Sequence, residues 1–255
     1  MSRVHAAFKA FAIHLSLSAV VAALAATLVL GVWFPAPYRS IAGGLHLFWL
    51  VVIVDVVCGP LLTAVLYNPR KSRRELTLDL SLVALVQLAA LIYGLYSVAL
   101  ARPVALVHEV DRFVAVTQAQ IDPAELQQAR PEFRNLSWFG GPRLLGTRQP
   151  RDGAETLESV ELSINGQEPS LRPGWWQAYA DSVPEVKDRM KPLAELHGRR
   201  PADGQRVIDE TVEKLGQPMD GLFYLPLTSQ KSLDEWIVLL DEHANIVGHA
   251  PVDGF

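Results

Sequence analysis

Three long apolar stretches, almost free of charge, occupy most of the first hundred residues. They run over residues 11–34, 45–67 and 76–100, and the acids within them are Asp55 and Asp79. A helix needs about 20 apolar residues to cross the hydrocarbon core of a bilayer. Proline and glycine residues in the two gaps favour turns. The pattern therefore predicts an α-helical membrane bundle of three transmembrane helices within residues 1–102.

The first stretch also shares features with a secretory signal peptide. Arg3 and Lys9 give it a basic start, and residues 23–25 form a small-x-small triplet. The apolar run nevertheless continues to Phe34, which is longer than the core of a signal peptide. An uncleaved helix is the favoured interpretation, and a cleaved signal is the alternative.

Residues 103–255 show short segments that alternate between strand and helix character. The predicted strands cover residues 104–107, 113–117, 222–227, 236–240 and 246–250. The predicted helices cover residues 151–164, 173–182 and 202–215, and a further helix starts at Asp122-Pro123. Residues 142–153 are the most loop-like. Since the first two strands and the last two can each form a hairpin, the sequence predicts an α+β domain with an antiparallel sheet over 103–255.

Charge divides the chain at the same place. Residues 1–102 carry a net charge of +5 and residues 103–255 a net charge of −9, within a total of −4. Half of all residues are hydrophobic, which excludes a disordered chain. The acidic second part argues against a nucleic-acid partner, which would require a basic surface.

The basic residues also predict the orientation of the helices. The N-terminus and the second gap hold six Lys or Arg residues, whereas the first gap holds Arg39 alone and the third helix is followed by Arg102. Cytoplasmic segments of membrane proteins carry the excess of Lys and Arg. We therefore expect a multi-pass protein of the bacterial inner membrane with a cytoplasmic N-terminus and a periplasmic C-terminal domain.

Asp55 lies near the middle of the second predicted helix. A charge at that depth costs at least about 2.5 kcal/mol, so the side chain must be protonated, paired or facing another protein. The third helix runs in the opposite direction and places Gln87 at a similar depth, where it could bond to Asp55. An interhelical hydrogen bond, a contact with a partner and proton transfer are the three interpretations.

Two further features of the predicted helices favour close packing. Pro60 lacks an N–H, so it is expected to kink the second helix. Ser18, Ala22 and Ala26 recur at four-residue spacing on the first helix, as small residues do where helices meet. We expect these residues to pack either within the bundle or, together with Asp55 and Pro60, against a helix of a partner.

In the predicted outer domain, Trp176 and Tyr179 are the candidate partner-binding aromatics. Three residues apart on a helix, they would share one face. Aromatic residues anchor many interfaces, but they also fill cores, so both interpretations stand.

No catalytic or metal-binding pattern is present in the sequence. There is no nucleophile elbow, phosphate-binding loop or zinc-protease motif, and the lone Cys58 cannot form a redox pair. His108 and Asp111 are interpreted as solvated turn residues, and His243 and His249 as surface or edge residues. We expect no enzyme activity, no cofactor, no metal and no small-molecule substrate.

Several short segments resemble the TfpX/TfpZ family of type IV pilin accessory proteins. They are FKAFAIH at 8–14, WFPAPY at 33–38, DVVCGPLLT at 55–63, NPRK at 68–71, ALARP at 99–103 and VDRF at 110–113, with a looser likeness at WWQAY, 175–179. The resemblance implies an inner-membrane helper of the major pilin that supports pilus display and twitching motility. It implies no catalytic residue and assigns no binding residue.

The leading hypothesis is a chaperone-like accessory factor that contacts the pilin helix within the membrane and the pilin head outside it. The alternative is a membrane-anchored envelope sensor or scaffold without specificity for pilin. An intramembrane enzyme or proton-coupled transporter centred on Asp55 is disfavoured, because such proteins usually need a second ionisable group.

Overall fold

The computed structural model describes residues 3–255 and divides them into two compact units. The first unit contains the chain up to Pro35 together with Gly43–Ala101, and the second contains Ala36–Ala42 together with Arg102–Phe255. The short segment Ala36–Ala42 between the first two apolar helices therefore belongs to the second unit, an assignment that the hydropathy pattern does not foresee.

The first unit consists of three helices long and apolar enough to cross a membrane, which confirms the predicted helix bundle. They extend over Arg3–Trp33, His46–Leu66 and Arg73–Leu100. The helical segments are α1 (Arg3–Leu28), α3 (Gly44–Ile53), α4 (Gly59–Leu66) and α5 (Arg73–Leu100). A π-helical turn, Val29–Trp33, follows α1, and another, Val54–Cys58, joins α3 to α4.

Local sequence accounts for the start of α5. The Ser72 hydroxyl accepts a hydrogen bond from the Glu75 amide, and the Glu75 carboxylate accepts one from the Ser72 amide, which forms a capping box. Lys71 Nζ lies 2.5 Å from Asp79 Oδ2, one turn further along the helix. Asp79 therefore has a cationic partner at the end of the apolar segment.

The second unit is built around one mixed eight-stranded sheet. Its strands are β1 (Pro103–Glu109), β2 (Arg112–Thr117), β3 (Arg143–Thr147), β4 (Trp176–Ala178), β5 (Lys191–Pro192), β6 (Phe223–Ser229), β7 (Trp236–Leu240) and β8 (Ile246–Ala250). The order along the sheet is β4-β3-β1-β2-β6-β7-β8, and β5 pairs with β6. The hairpins β1–β2 and β7–β8 are antiparallel, as predicted.

Most strand pairs are antiparallel, as predicted, but the sheet is mixed because two pairs are parallel. Strand β1 pairs with β3 in parallel, and β2 pairs with β6 in parallel. Parallel neighbours require a crossover between them, and the intervening helical segments supply these connections. Strand β3 also lies within residues 142–153, the most loop-like stretch of the sequence.

Helices cover the sheet and complete the α+β architecture. They are α2 (Tyr38–Ile41), α6 (Pro123–Leu126), α7 (Gly153–Ile164), α8 (Tyr179–Arg189), α9 (Leu193–Arg199) and α10 (Ala202–Leu215). The Asp122 carboxylate caps α6, and the Asp152 carboxylate caps α7. The helix predicted at 202–215 coincides with α10, and the one predicted at 151–164 corresponds to α7.

The segment Ala36–Ala42 contributes to the hydrophobic core of the second unit. Tyr38 and Ile41 are buried there among side chains of β1, β2, β6 and β7. The Ser229 hydroxyl donates a hydrogen bond of 2.8 Å to the carbonyl of Ile41, and the ring of His249 lies 6.2 Å from that of Tyr38. A loop between two membrane helices is thus an integral part of the second unit.

His108 is fully buried in β1, which corrects its interpretation as a solvated turn residue. Its ring packs against Phe113 with the ring centroids 5.4 Å apart. All seven residues of β1 are buried, because both faces of this strand are covered. Burial lowers the pKa of His108 to about 4, and the nearby Asp111 opposes the shift.

Candidate functional site: a polar cluster among the apolar helices

Asp55 is buried within the first unit, with 6% of its surface exposed. It belongs to the π-helical turn Val54–Cys58, which directly precedes Gly59-Pro60. Proline cannot donate the backbone hydrogen bond that a regular helix needs, and π-helical turns are frequent at functional positions. A widened turn that carries the acid therefore directly precedes Pro60.

Gln87 on α5 connects Asp55 to the first helix. Its Nε2 atom donates a hydrogen bond of 2.9 Å to the backbone carbonyl of Asp55 and one of 3.0 Å to Ser18 Oγ. The hydrogen bond between Asp55 and Gln87 thus forms through the backbone of Asp55 rather than through its carboxylate. One amide side chain joins all three long helices.

The other end of the Gln87 amide is buried against Gly59. Within residues 3–255, Gln87 Oε1 has no hydrogen-bond partner. A Cβ atom placed on Gly59 would lie 2.0 Å from Gln87 Oε1, so a larger residue at this position would require the Gln87 amide to move. The Gly59-Pro60 pair predicts a kink from its sequence, but nothing in the sequence predicts this packing role.

A second polar contact joins α1 to α4. His14 Nδ1 lies 2.5 Å from Thr63 Oγ1, and Thr63 is buried. Both residues are polar positions inside apolar stretches, which is the signal that could have identified them in the sequence. His14, Thr63, Ser18, Gln87 and Asp55 together form what we call the intramembrane polar cluster.

Two cavities adjoin this cluster, and Asp55 lines both of them. The first, of about 160 Å³, is also lined by His14, Ser18 and Gln87, with apolar side chains around them. The second, of about 360 Å³, lies between the second and third helices and is almost wholly apolar. Because Asp55 lines both cavities, a side chain that enters either one would lie next to this residue.

The other membrane residues predicted to bind a partner differ in accessibility. Ser18 and Pro60 are buried within the first unit, and Ser18 also lines the smaller cavity. Ala22 and Ala26 are half-buried along the same helix. Among Ser18, Ala22, Ala26, Asp55 and Pro60, Asp55 is the residue that is buried and also lines both cavities.

Of the two interpretations of Trp176 and Tyr179, packing in the core is the one that the second unit displays. Trp176 is 2% exposed and donates through Nε1 to the carbonyl of Ser170 at 2.8 Å. Tyr179 is half-buried, and its hydroxyl donates to the carbonyl of Ala244 at 2.6 Å. The two residues share no helical face, because Trp176 lies in β4 and Tyr179 begins α8.

The second unit has a cleft of its own, of about 520 Å³, beside α7. It is lined by Glu109, Arg148, Trp175 and apolar residues of α7. Burial raises the pKa of the Glu109 carboxyl, and the Ser170 amide, which donates to it at 2.7 Å, opposes the shift. Across the described residues 3–255, no three His, Cys, Asp or Glu side chains converge as metal ligands.

Three helices of this length and apolar character, followed by a mixed α+β domain, are those of a membrane-anchored protein. Comparison with known proteins then gives the family. The chain is 40% identical to the "Fimbrial assembly protein, serogroup I" of Dichelobacter nodosus over 249 residues, which cover 98% of this chain and 96% of the relative. It belongs to this family of fimbrial assembly proteins.

Other comparisons agree with this assignment. The serogroup E1 fimbrial assembly protein of Dichelobacter nodosus is also 40% identical over 249 residues, with the same shares of both chains covered. The protein of serogroups C1 and C2 is 48% identical over 123 residues, which are 48% of this chain and 94% of that one. The model of the family "Fimbrial assembly protein FimB" matches residues 2–43. No solved structure matches the chain.

Proposed function

We propose that this protein is an inner-membrane accessory factor for type IV pilin, of the TfpX/TfpZ type, that supports pilin stability or pilus assembly. Its role is non-enzymatic and chaperone-like, and it serves pilus display and twitching motility. Two relatives that align with nearly the whole chain are named fimbrial assembly proteins, and these names support the proposal.

The observation that carries the proposed membrane contact is the position of Asp55. The acid is buried among apolar helices, where a charge costs at least about 2.5 kcal/mol, and it lines both cavities of the first unit. Such a residue is stabilised when a partner supplies a hydrogen-bond donor. We propose that an apolar helix of pilin supplies it from within the membrane.

The second unit would meet the pilin head outside the membrane, in the orientation that the basic residues predict. Two weak contacts on one molecule reinforce each other, because the first raises the effective concentration for the second. A three-helix anchor with an attached domain suits this arrangement. Trp176 is buried in the core, so the aromatic residues available for such contacts are the exposed ones of the second unit.

The first experiment is a deletion strain in which pilin abundance and surface pili are measured. It is combined with a photoreactive amino acid at Leu88, which lines the smaller cavity, and a matched probe at Leu78 of the same helix, which does not. We expect loss of pili and a pilin crosslink from Leu88 but not from Leu78. Normal pili with no crosslink would favour the alternative of an envelope sensor or scaffold.

The second experiment tests the role of Asp55. In Asp55→Leu we expect pilin to copurify less and its steady-state level to fall, whereas Asp79→Asn, at the other acid of the apolar segments, should behave as the parent protein. Membrane levels of both variants establish that they are made and inserted. Unchanged copurification of pilin with inserted Asp55→Leu would exclude Asp55 from the contact.

A further inference from the structure

The largest exposed aromatic side chains of the described second unit are adjacent. Trp138 is 51% exposed and Phe139 is 80% exposed. They lie in the connection that leads to β3, within residues 135–142, a segment that contains no charged residue and ends in Gly-Gly-Pro. Two neighbouring aromatics held in an uncharged loop are unusual on an otherwise acidic domain, because a water-facing loop gains nothing from them.

Arg102, which follows the third apolar helix in the sequence, contacts this loop. Its guanidinium lies 4.5 Å from the centre of the Trp138 ring. Arg102 follows Leu100, the last residue of α5, by two positions, so the chain holds their Cα atoms within about 7 Å of each other. If α5 crosses the bilayer, the backbone of Arg102 is at the membrane surface, and the Trp138 ring is within reach of it.

The charged residues that flank the loop are mostly basic, which suits a position next to anionic lipid headgroups. Arg130, Arg134 and Arg143 flank it, with Glu132 as the single acid between residues 130 and 143. Residues 103–255 as a whole carry a net charge of −9. Basic side chains near a membrane are attracted to anionic headgroups. The loop therefore has a local excess of positive charge within an acidic unit.

We propose that Trp138 and Phe139 form an interfacial anchor: both rings lie among the lipid headgroups, while Arg134 and Arg143 face anionic lipid. Tryptophan is enriched at membrane–water interfaces because its ring is apolar and its N–H is polar. The anchor holds the second unit to the bilayer at a point other than its covalent attachment. It requires α5 to span the membrane, and it is independent of any contact with pilin.

The test uses the full-length chain in lipid vesicles, with one labelled cysteine at a time. In a Cys58→Ala background, Phe139→Cys is compared with Ile164→Cys, which is at an equally exposed position, 81%, on α7. Each cysteine carries a fluorophore, and the vesicles contain lipids with a spin-label quencher near the headgroup. We expect the label at residue 139 to lose most of its fluorescence and the label at residue 164 to lose none.

Vesicles with and without phosphatidylglycerol then separate the two parts of the anchor. The quenching at residue 139 should be stronger when the anionic lipid is present, because Arg134 and Arg143 then have partners. Equal, water-like signals at residues 139 and 164 in both kinds of vesicle would overturn the proposal. Equal quenching at residue 139 in vesicles with and without phosphatidylglycerol would overturn the role given to the two arginines.

Discussion

Gln87 donates a hydrogen bond to Ser18 at 3.0 Å and thereby joins the third apolar helix to the first. The same Nε2 atom donates to the carbonyl of Asp55 on the second helix at 2.9 Å. In a bilayer, burial of apolar surface does little to hold helices together, so packing and hydrogen bonds of this kind carry much of the association. Gln87 is therefore the side chain on which the polar cluster depends most.

Replacing Gln87 with leucine removes both interhelical hydrogen bonds while keeping the side chain similar in volume. Such bonds contribute on average about 0.6 kcal/mol each in membrane proteins, and at most about 1.7. We expect Gln87→Leu to lower the free energy of unfolding in detergent micelles by about 1–3 kcal/mol, measured by titration with a denaturing detergent. Leu85→Ala, at a lipid-facing position of the same helix, is the control. A fully stable Gln87→Leu would contradict the assigned role.

Gly59→Ala should disturb the same cluster from the opposite side. The added methyl group would meet Gln87 Oε1 at 2.0 Å, and the flexible amide can move away only by giving up its two hydrogen bonds. We expect a loss of about 1–3 kcal/mol, the usual cost of overpacking. Gly31→Ala, where no neighbouring atom lies within 4 Å, should cost nothing.

The two substitutions should also be non-additive. Once Gln87 is leucine, the hydrogen bonds that Gly59→Ala breaks are already absent, so the double variant should be more stable than the sum of the single effects allows. The same detergent titration on the four proteins measures this coupling. Strict additivity would mean that Gly59 and Gln87 act on stability through separate contacts.

The three apolar helices could be predicted from sequence because a run of about 20 apolar residues has few stable positions other than a bilayer. The hairpin of β7 and β8 was also predictable, since polar turn residues separate two apolar runs of equal length. In both cases the signal is local. It depends on neighbouring residues and not on the rest of the fold.

Other features depend on contacts between distant parts of the chain. The burial of Tyr38 and Ile41 could not be predicted, because the side chains that pack against them lie far away in the sequence, in strands from Pro103 onwards. The position of His108 near the end of a predicted hairpin indicates a solvated turn, but both faces of β1 are covered, so burial there does not depend on the alternation of faces. The Asp55–Gln87 pairing was predictable from depth, but the choice of the backbone carbonyl was not.

The burial of Ile41 makes a quantitative prediction about the second unit. Ile41→Ala should lower its free energy of unfolding by about 2–5 kcal/mol, because the substitution leaves a cavity in a closely packed core. Urea unfolding of the full-length chain in mild detergent, followed by tryptophan fluorescence, measures the change. Ile164→Ala makes the same replacement at a site that is 81% exposed and should change little.

A corollary concerns the isolated polypeptide 102–255. It lacks the segment Ala36–Ala42, and we expect it to unfold at a lower urea concentration than the second unit of the full-length chain. Adding a peptide of residues 36–42 in excess should recover part of the difference, since a ligand that binds only the folded state stabilises it. Equal midpoints for the two proteins would show that this segment contributes no stability.

His108 predicts how the stability of the second unit depends on pH. Burial lowers its pKa to about 4 in the folded state, against about 6.5 for an unfolded histidine. Between these values the unfolded chain binds a proton that the folded chain does not. The contribution of neutral His108 is therefore complete above about pH 6.5 and is lost as the pH falls towards 4.

The size of the effect follows from the shift. A difference of about 2.5 pKa units corresponds to roughly 3 kcal/mol, and the burial of His249, whose pKa is also lowered to about 4, acts in the same direction. We expect urea midpoints of the full-length chain to fall from pH 7.5 to pH 4.5, and His108→Leu to reduce that fall. His243→Leu, at a largely exposed side chain, is the matched control. If His108→Leu keeps the full pH dependence, the titrating group is another one. Retention of stability in the parent protein at pH 4.5 would contradict a neutral, desolvated His108 altogether.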